Sequence, residues 1–239
     1  MARAALLVAA LMLTACASGP NANPRDPLEP FNRSMYGFND AVDRAVIKPV
    51  ATAYRDVLPS PVRTGVSNFF NNLQDLWSFV NNTLQLKAEG AGNSIVRFGV
   101  NTVFGLGGLI DIASEMRIER HSEDFGQTLG HWGVGAGPYV VLPLLGSSTV
   151  RDTAALPVDM KGNVVSQISD VPTRNSAWVL SAVDGRSQLL DVSQMLEEVA
   201  LDPYAFTRDA YLQRRRSLIY DGNPPEEDPY VPDDGPTGQ

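Results

Sequence analysis

Once the leader is set aside, the most apolar stretch of the chain is VNTVFGLGGLIDIA at 100–113, and it limits what the chain can become. It carries one charge, Asp111, and falls well short of the roughly 20 residues that cross a bilayer. It therefore either enters a membrane and returns, or lies buried in protein. Gly105, Gly107 and Gly108 suit the tight turn or the close packing of a folded helical hairpin. On physics alone, burial in a core is the simpler outcome.

A second stretch, EDFGQTLGHWGVGAGPYVVLPLLGSSTVRD at 123–152, combines six glycines and two prolines with Trp132, Tyr139 and a run of aliphatics. GVGAGP at 133–138 imitates a phosphate loop, but Pro138 stands where such a loop would open a helix with free N–H groups, which argues against a nucleotide site. What remains is geometric. The backbone is irregular and passes close to other apolar surface, and Val140, Val141, Leu142, Leu144 and Leu145 are too hydrophobic for a free loop. Core, partner or lipid could cover them, and periodicity does not choose.

The N-terminus, MARAALLVAALMLTACASG, has one positive residue, an apolar run and then small residues. That is the pattern of a secretory signal, too short to stay as an anchor. LTAC at 13–16 resembles a lipobox, in which cleavage precedes an acylated cysteine. Cys16 is the only cysteine of the chain, so an internal disulfide is impossible. The expected organisation is a signal peptide at 1–15, a lipidated tether at 16–25, a folded body at 26–220 and an acidic, Pro-rich disordered tail at 221–239. Several acyl chains hold a protein stably where one binds marginally, and Ala17 points to outer-membrane sorting. The formal net charge is −8, and the tail holds six acids and no base. No basic stripe suits nucleic acid.

Within the body the periodicity is helical. Asp26 and Pro27 suit a helix start, and Phe31, Met35, Phe38, Val42, Ala45 and Val46 recur at helical spacing until Lys48–Pro49, which should stop the helix. A second helix is predicted over 61–86, with Val66, Phe69, Phe70, Leu73, Leu76, Trp77, Val80 and Leu84 on one face and asparagines mostly opposite. Gly90 and Gly92 read as a break. Further helices are predicted over 173–200 and 203–219, the last carrying Arg214 to Arg216 near its end, where cations suit the helix dipole. No run alternates well enough for a large sheet, so the fold class is mostly α.

The inventory for catalysis is thin. His121 and His131 have no supporting constellation, and Ser147 and Ser148 have no credible partner. Glu123–Asp124 and Arg151–Asp152 read as caps or ion pairs. No metal-ligand spacing appears.

DPLEPFNRSMYGFN at 26–39, KPVATAYRDVLPSPVRTGVSNFFNNL at 48–73, RFGVNTVFGLGGLIDIA at 97–113 and the glycine-rich stretch together resemble the MlaA, or VacJ, lipoproteins. The resemblance implies a compact, ring-like helical domain with glycine-rich irregular segments, lodged in the inner leaflet of the Gram-negative outer membrane on its periplasmic face. It also implies an amphipathic channel that removes phospholipid from the outer leaflet and passes it to the soluble periplasmic carrier MlaC, with trimeric porins as partners. It implies no cofactor beyond acyl and diacylglycerol groups on Cys16. The channel wall and gate are expected at Phe31, Asn32, Met35, Phe38 and Asn39, at Gly105, Gly107 and Gly108, and at Gly133, Gly135, Gly137 and Tyr139. Membrane-facing positions are expected at Phe69, Phe70, Trp77, Phe104, Leu106 and Leu109, in place of simple burial. The rival readings are a lipoprotein that only scaffolds porins, and a lipid-cleaving enzyme, which would need a nucleophile.

Overall fold

A computed structural model describes residues 23–226; the expected signal peptide at 1–15, Cys16 and the sequence from residue 227 lie outside the described residues. The body is mostly α with one small hairpin. Helix α1 (Glu29–Val42) runs through a π turn (Asp43–Ile47) directly into α2 (Lys48–Val57). The stop expected at Lys48–Pro49 is thus absent. A proline at 49 would strike the carbonyl of Ala45 in a regular helix, and the wider turn, closed by Lys48 N–H on the Asp43 carbonyl, relieves that clash.

Helix α3 (Ser60–Leu84) occupies its predicted span, with Pro61 in its first turn. The following break is at residues 85–87, where Leu86 takes φ 59°, so Gly90 and Gly92 lie inside α4 (Ala88–Val103) instead of ending it. Gly90 has a different purpose: a Cβ there would fall 2.1 Å from Asn82 Oδ1, so only glycine lets α3 and α4 approach this closely. A turn through residues 104–111 leads to the short α5 (Ile112–Glu115), and α6 (Phe125–His131) follows.

The glycine-rich stretch then forms an antiparallel hairpin, β1 (Tyr139–Leu142) with β2 (Gly146–Thr149), pairing Tyr139 with Thr149 and Leu142 with Gly146. The Thr149 hydroxyl accepts from Asp152 N–H and caps α7 (Val150–Gly162), which encloses Pro157 and leads to a 3₁₀ turn (Val164–Gln167). The helix expected over 173–200 is divided at Leu189 into α8 (Val171–Gln188) and α9 (Leu190–Val199). Arg186 holds the break by donating to both Asp43 and Ser193. Helix α10 (Pro203–Ile219) closes the body, with Asp202 accepting from Ala205 N–H at its start.

The packing order closes on itself. β1 lies on α1, α2 on α8, α8 on α3, α3 on α6 and the 3₁₀ turn, α6 on α7 and α10, and α10 on β2. This circuit has no central oily core. Among the described residues, 21 polar or charged side chains are buried against ten hydrophobic ones, and the apolar cluster is only Tyr139, Val141 and Tyr204. Hydrogen bonds therefore do the joining. Asn32 is 0 % exposed; its Nδ2 donates to Asp26 (2.7 Å) and to the Tyr139 carbonyl (3.0 Å), and its Oδ1 accepts from Val141 N–H (2.8 Å). One turn pair further on, Asn39 bonds the Leu142 carbonyl and Leu144 N–H in the same manner. Spaced seven apart, the two amides occupy the free edge of β1 as a neighbouring strand would.

Replacing Asn32 with alanine should strand a buried N–H and carbonyl on β1 and cost about 2–4 kcal/mol of stability in detergent, whereas Asn39→Ala, nearer solvent, should cost less. Equal losses in denaturation midpoints would contradict this ranking.

Candidate functional site

The first feature of the site is the direction in which side chains point. On α3 the buried positions are Asn72, Asp75, Ser78, Asn81 and Asn82, while Phe69 and Leu84 are exposed and Phe70 and Trp77 are half-buried. The amphipathic helix is present as predicted, but its polar face is the one turned into the protein. At the α4–α5 turn the inversion is sharpest: Phe104 and Leu106 are 71 % and 70 % exposed, with Leu109 and Ile110 beside them.

Charge holds that apolar tip from beneath. The Arg97 guanidinium, 3 % exposed, donates to both oxygens of Asp111 (2.9 and 2.8 Å) and to the Ile118 carbonyl (2.6 Å). Asn101 donates to Asp111 and accepts from Ala113 N–H, while Asn68 reaches the Leu109 carbonyl. Asp75, fully buried, accepts from Arg120 at 2.8 Å and faces Arg97. Burial raises the Asp75 carboxyl, with Arg120 acting against it. Gly105 is buried, and Gly107 and Gly108 take positive φ in the turn.

The second feature is the glycine-rich segment before β1. Residues 133–137 pass over a cavity of about 380 Å³ that they share with Arg151 and the last turns of α10. Gly135 and Gly137 differ here. A Cβ at Gly135 meets only open space, whereas Gly137 has φ 68° and a Cβ would press on Val150 at 3.2 Å, so a side chain is tolerated at the first and strained at the second. Behind the cavity stands an ionic cluster: Arg215 donates to Asp124 (2.6 Å) and Asp152 (2.9 Å), Arg151 donates to Asp152 (2.9 Å), and Tyr211 donates to Asp152 (2.9 Å). Burial acts to raise the Asp152 carboxyl, but Arg215 outweighs it and holds the group below the ordinary carboxylate range. Asp124 and Asp152 are also placed as the sequence suggests, Asp124 capping α6 through Gln127 N–H.

The expected site residues fall into separate places. Phe31 and Phe38 are exposed on α1 and Met35 is half-buried there, packed with Tyr36 near the Tyr139–Tyr204 cluster. Asn32 and Asn39 are committed to β1, and Tyr139 is fully buried against Tyr204 and Tyr211, its hydroxyl 2.8 Å from Ser147. Gly133, Gly135 and Gly137 line the cavity, while Gly105, Gly107 and Gly108 belong to the α4–α5 turn. Ser148 pairs with Thr153, and His121 faces Asn93. Among the described residues no cluster of His, Cys, Asp or Glu could hold a metal ion, and no helix is long and apolar enough to cross a membrane. The Arg151–Asp152 pair forms the ion pair read from the sequence, but sequence reasoning missed the roles of Arg97, Asp111 and Arg215. Their long-range partners carry no local signal, although Asp111 as the one charge in an apolar run was a hint.

Comparison with known proteins agrees on one family. A family model described as MlaA lipoprotein matches residues 24–218. The chain is 41 % identical over 234 residues to the intermembrane phospholipid transport system lipoprotein MlaA of Shigella flexneri, covering 94 % of this chain and 92 % of that one, and equally so to its Escherichia coli K12 counterpart. Identity to the protein of the same name from Haemophilus influenzae is 36 % over 237 residues, covering 95 % and 94 %. A solved structure described as the structural basis for maintenance of bacterial outer membrane lipid asymmetry superposes with a TM-score of 0.72 at 40 % identity, covering 81 % of this chain and 98 % of that one.

Because the folded state lowers the Asp152 pKa, the carboxylate adds stability above its unfolded value near pH 4 and loses that contribution as pH falls through its lower folded value. Asp152→Asn should therefore cost about 3 kcal/mol at pH 7 and markedly less at pH 3. A gap between wild type and variant that does not change with pH would contradict the ionic role.

Proposed function

The chain belongs to the MlaA lipoprotein family, and from that premise we propose that it sits in the inner leaflet of the outer membrane, anchored through acylated Cys16. There it draws phospholipid out of the outer leaflet and passes it to the soluble periplasmic carrier MlaC. Trimeric porins are the expected neighbours in the membrane. No bond is made or broken in the process.

The observation that carries this reading is the inverted partition of side chains. Buried Asn, Asp and Arg residues between helices, with Phe104, Leu106 and Leu109 turned outward, suit a protein whose outer surface meets acyl chains. Since no described helix is long and apolar enough to cross a membrane, a position in one leaflet fits better than a transmembrane one. The closed circuit of packing elements supports a ring that lipid could traverse. A phospholipid passing between leaflets keeps its charged headgroup solvated while its tails avoid water, and walls offering both surfaces lower that barrier. Phe31 and Phe38, exposed on α1, and the glycine segment at 133–137, which borders a cavity, are the positions assigned to the channel wall in this reading. Asn32, Asn39 and Tyr139 act instead by fixing the hairpin beside them.

Deleting the gene should raise outer-leaflet phospholipid, read with an outer-leaflet phospholipase or palmitoyltransferase reporter, and wild type should restore asymmetry where Cys16→Ala does not. Unchanged asymmetry on deletion would leave only a scaffolding role.

A further inference from the structure

The cavity beneath residues 133–137 has chemistry that a passive wall would not need. Arg25, Arg151, Arg215 and Arg216 all line it, and among the described residues no Asp or Glu does; Asp124 and Asp152 stand behind the guanidiniums they pair with. Gly135, Ala136 and Gly137 also border it, and among the described residues none of their three amides donates to a protein acceptor. The C-terminal end of α10 could repel an anion through its carbonyls, but those of Arg216, Ser217 and Leu218 are already taken by the amides of Tyr220, Gly222 and Asp221. Val134, Leu212 and Ile219 supply an aliphatic part of its wall.

We propose that this cavity is a headgroup site, binding the phosphate of an anionic phospholipid against the guanidiniums and the glycine-segment amides while the aliphatic wall takes the start of its tails. The assignment rests on the transport reading and specifies where on the body the lipid's phosphate is held. Guanidiniums give phosphate charge-assisted hydrogen bonds, and clustered backbone N–H groups add fixed donors. Arg151 and Arg215 are held in place by their acids, so they position the wall; Arg216, whose Nη2 donates to the Pro225 carbonyl, sits at the solvent side. A bare phosphate ion shares the polar half of this chemistry but gains nothing from the aliphatic wall.

The test uses the full-length protein in maltoside detergent, titrated by calorimetry with dihexanoyl phosphatidylglycerol, with dihexanoyl glycerol and with inorganic phosphate. The phosphatidylglycerol should bind saturably and the phosphate-free glyceride should not, and millimolar phosphate should compete with the lipid. Arg216→Ala and Gly135→Leu, the latter filling open space, should each weaken the lipid by about tenfold, the equivalent of one lost charge-assisted bond, without moving the unfolding midpoint. If Arg216→Ala alone disturbs the fold, Gly135→Leu decides. Lipid affinity unchanged in the variants, equal binding of the glyceride, or phosphate binding that does not compete with lipid would each overturn the site. Outer-leaflet phospholipid in complemented cells separates this from the parent reading. If wild type clears phospholipid while both variants bind lipid as wild type does, only the site fails; if wild type does not clear it, the transport reading fails whatever the calorimetry shows.

Discussion

A chain that turns its asparagines, aspartates and arginines inward and its phenylalanines and leucines outward is stable only where the outward surface does not meet water. In water the hydrophobic effect would drive the opposite arrangement, because each large apolar side chain left exposed forgoes roughly 1.5–3 kcal/mol. In hydrocarbon that drive between helices vanishes, and association falls to close packing and hydrogen bonds. The joints of this fold are of that second kind. Asn32 and Asn39 pin the hairpin to α1, Arg97 and Asp111 clamp the apolar turn, Arg186 ties the π turn to the α8–α9 break, and Arg215 joins α10 to α6 and α7. A buried polar group without a partner is costly, so a ring built this way holds only when the partners are all in register.

The same constraint explains how much the sequence discloses. Periodicity locates α3 and α10 because a 3.6-residue repeat is visible whichever face is buried. It does not say which face that is: Phe69 looks like core until the asparagines opposite are found packed against α4 and α6, whereas Trp77, expected to face the membrane, packs against Gly162 of α7 and donates to Asp159. Breaks are read less well. Pro49 follows a π turn and Gly90 serves helix contact, so two residues that usually end helices sit within helical segments. The hairpin is hidden because YVVL does not alternate and GSST is polar, and its edge is satisfied by side chains more than a hundred residues earlier. α7 is hidden by Pro157 within it.

Of the expected site, the glycines at 133, 135 and 137 do converge on one cavity, whereas the first motif divides between exposed aromatic rings and buried amides. The distinction lies in chemistry that local sequence cannot show: an asparagine beside exposed phenylalanines can line a path or hold a strand, and here its partners on β1 decide. Arg215 is a comparable case. As one of three consecutive arginines at a helix end it suits the dipole, yet its bonds to Asp124 and Asp152 make it the junction of three helices and the back wall of the cavity.

The direct test of the inverted fold is the environment of its apolar tip. Spin labels placed at Phe104 and Leu106 in protein reconstituted into bilayers should be relaxed by oxygen, which concentrates in hydrocarbon, and shielded from an aqueous nickel reagent, while a label at His131, exposed at the end of α6, should show the reverse. Labels at 104 and 106 that the nickel reagent reaches as freely as at 131 would mean that the outward apolar surface is not in lipid, and the physical reason for the whole arrangement would be lost.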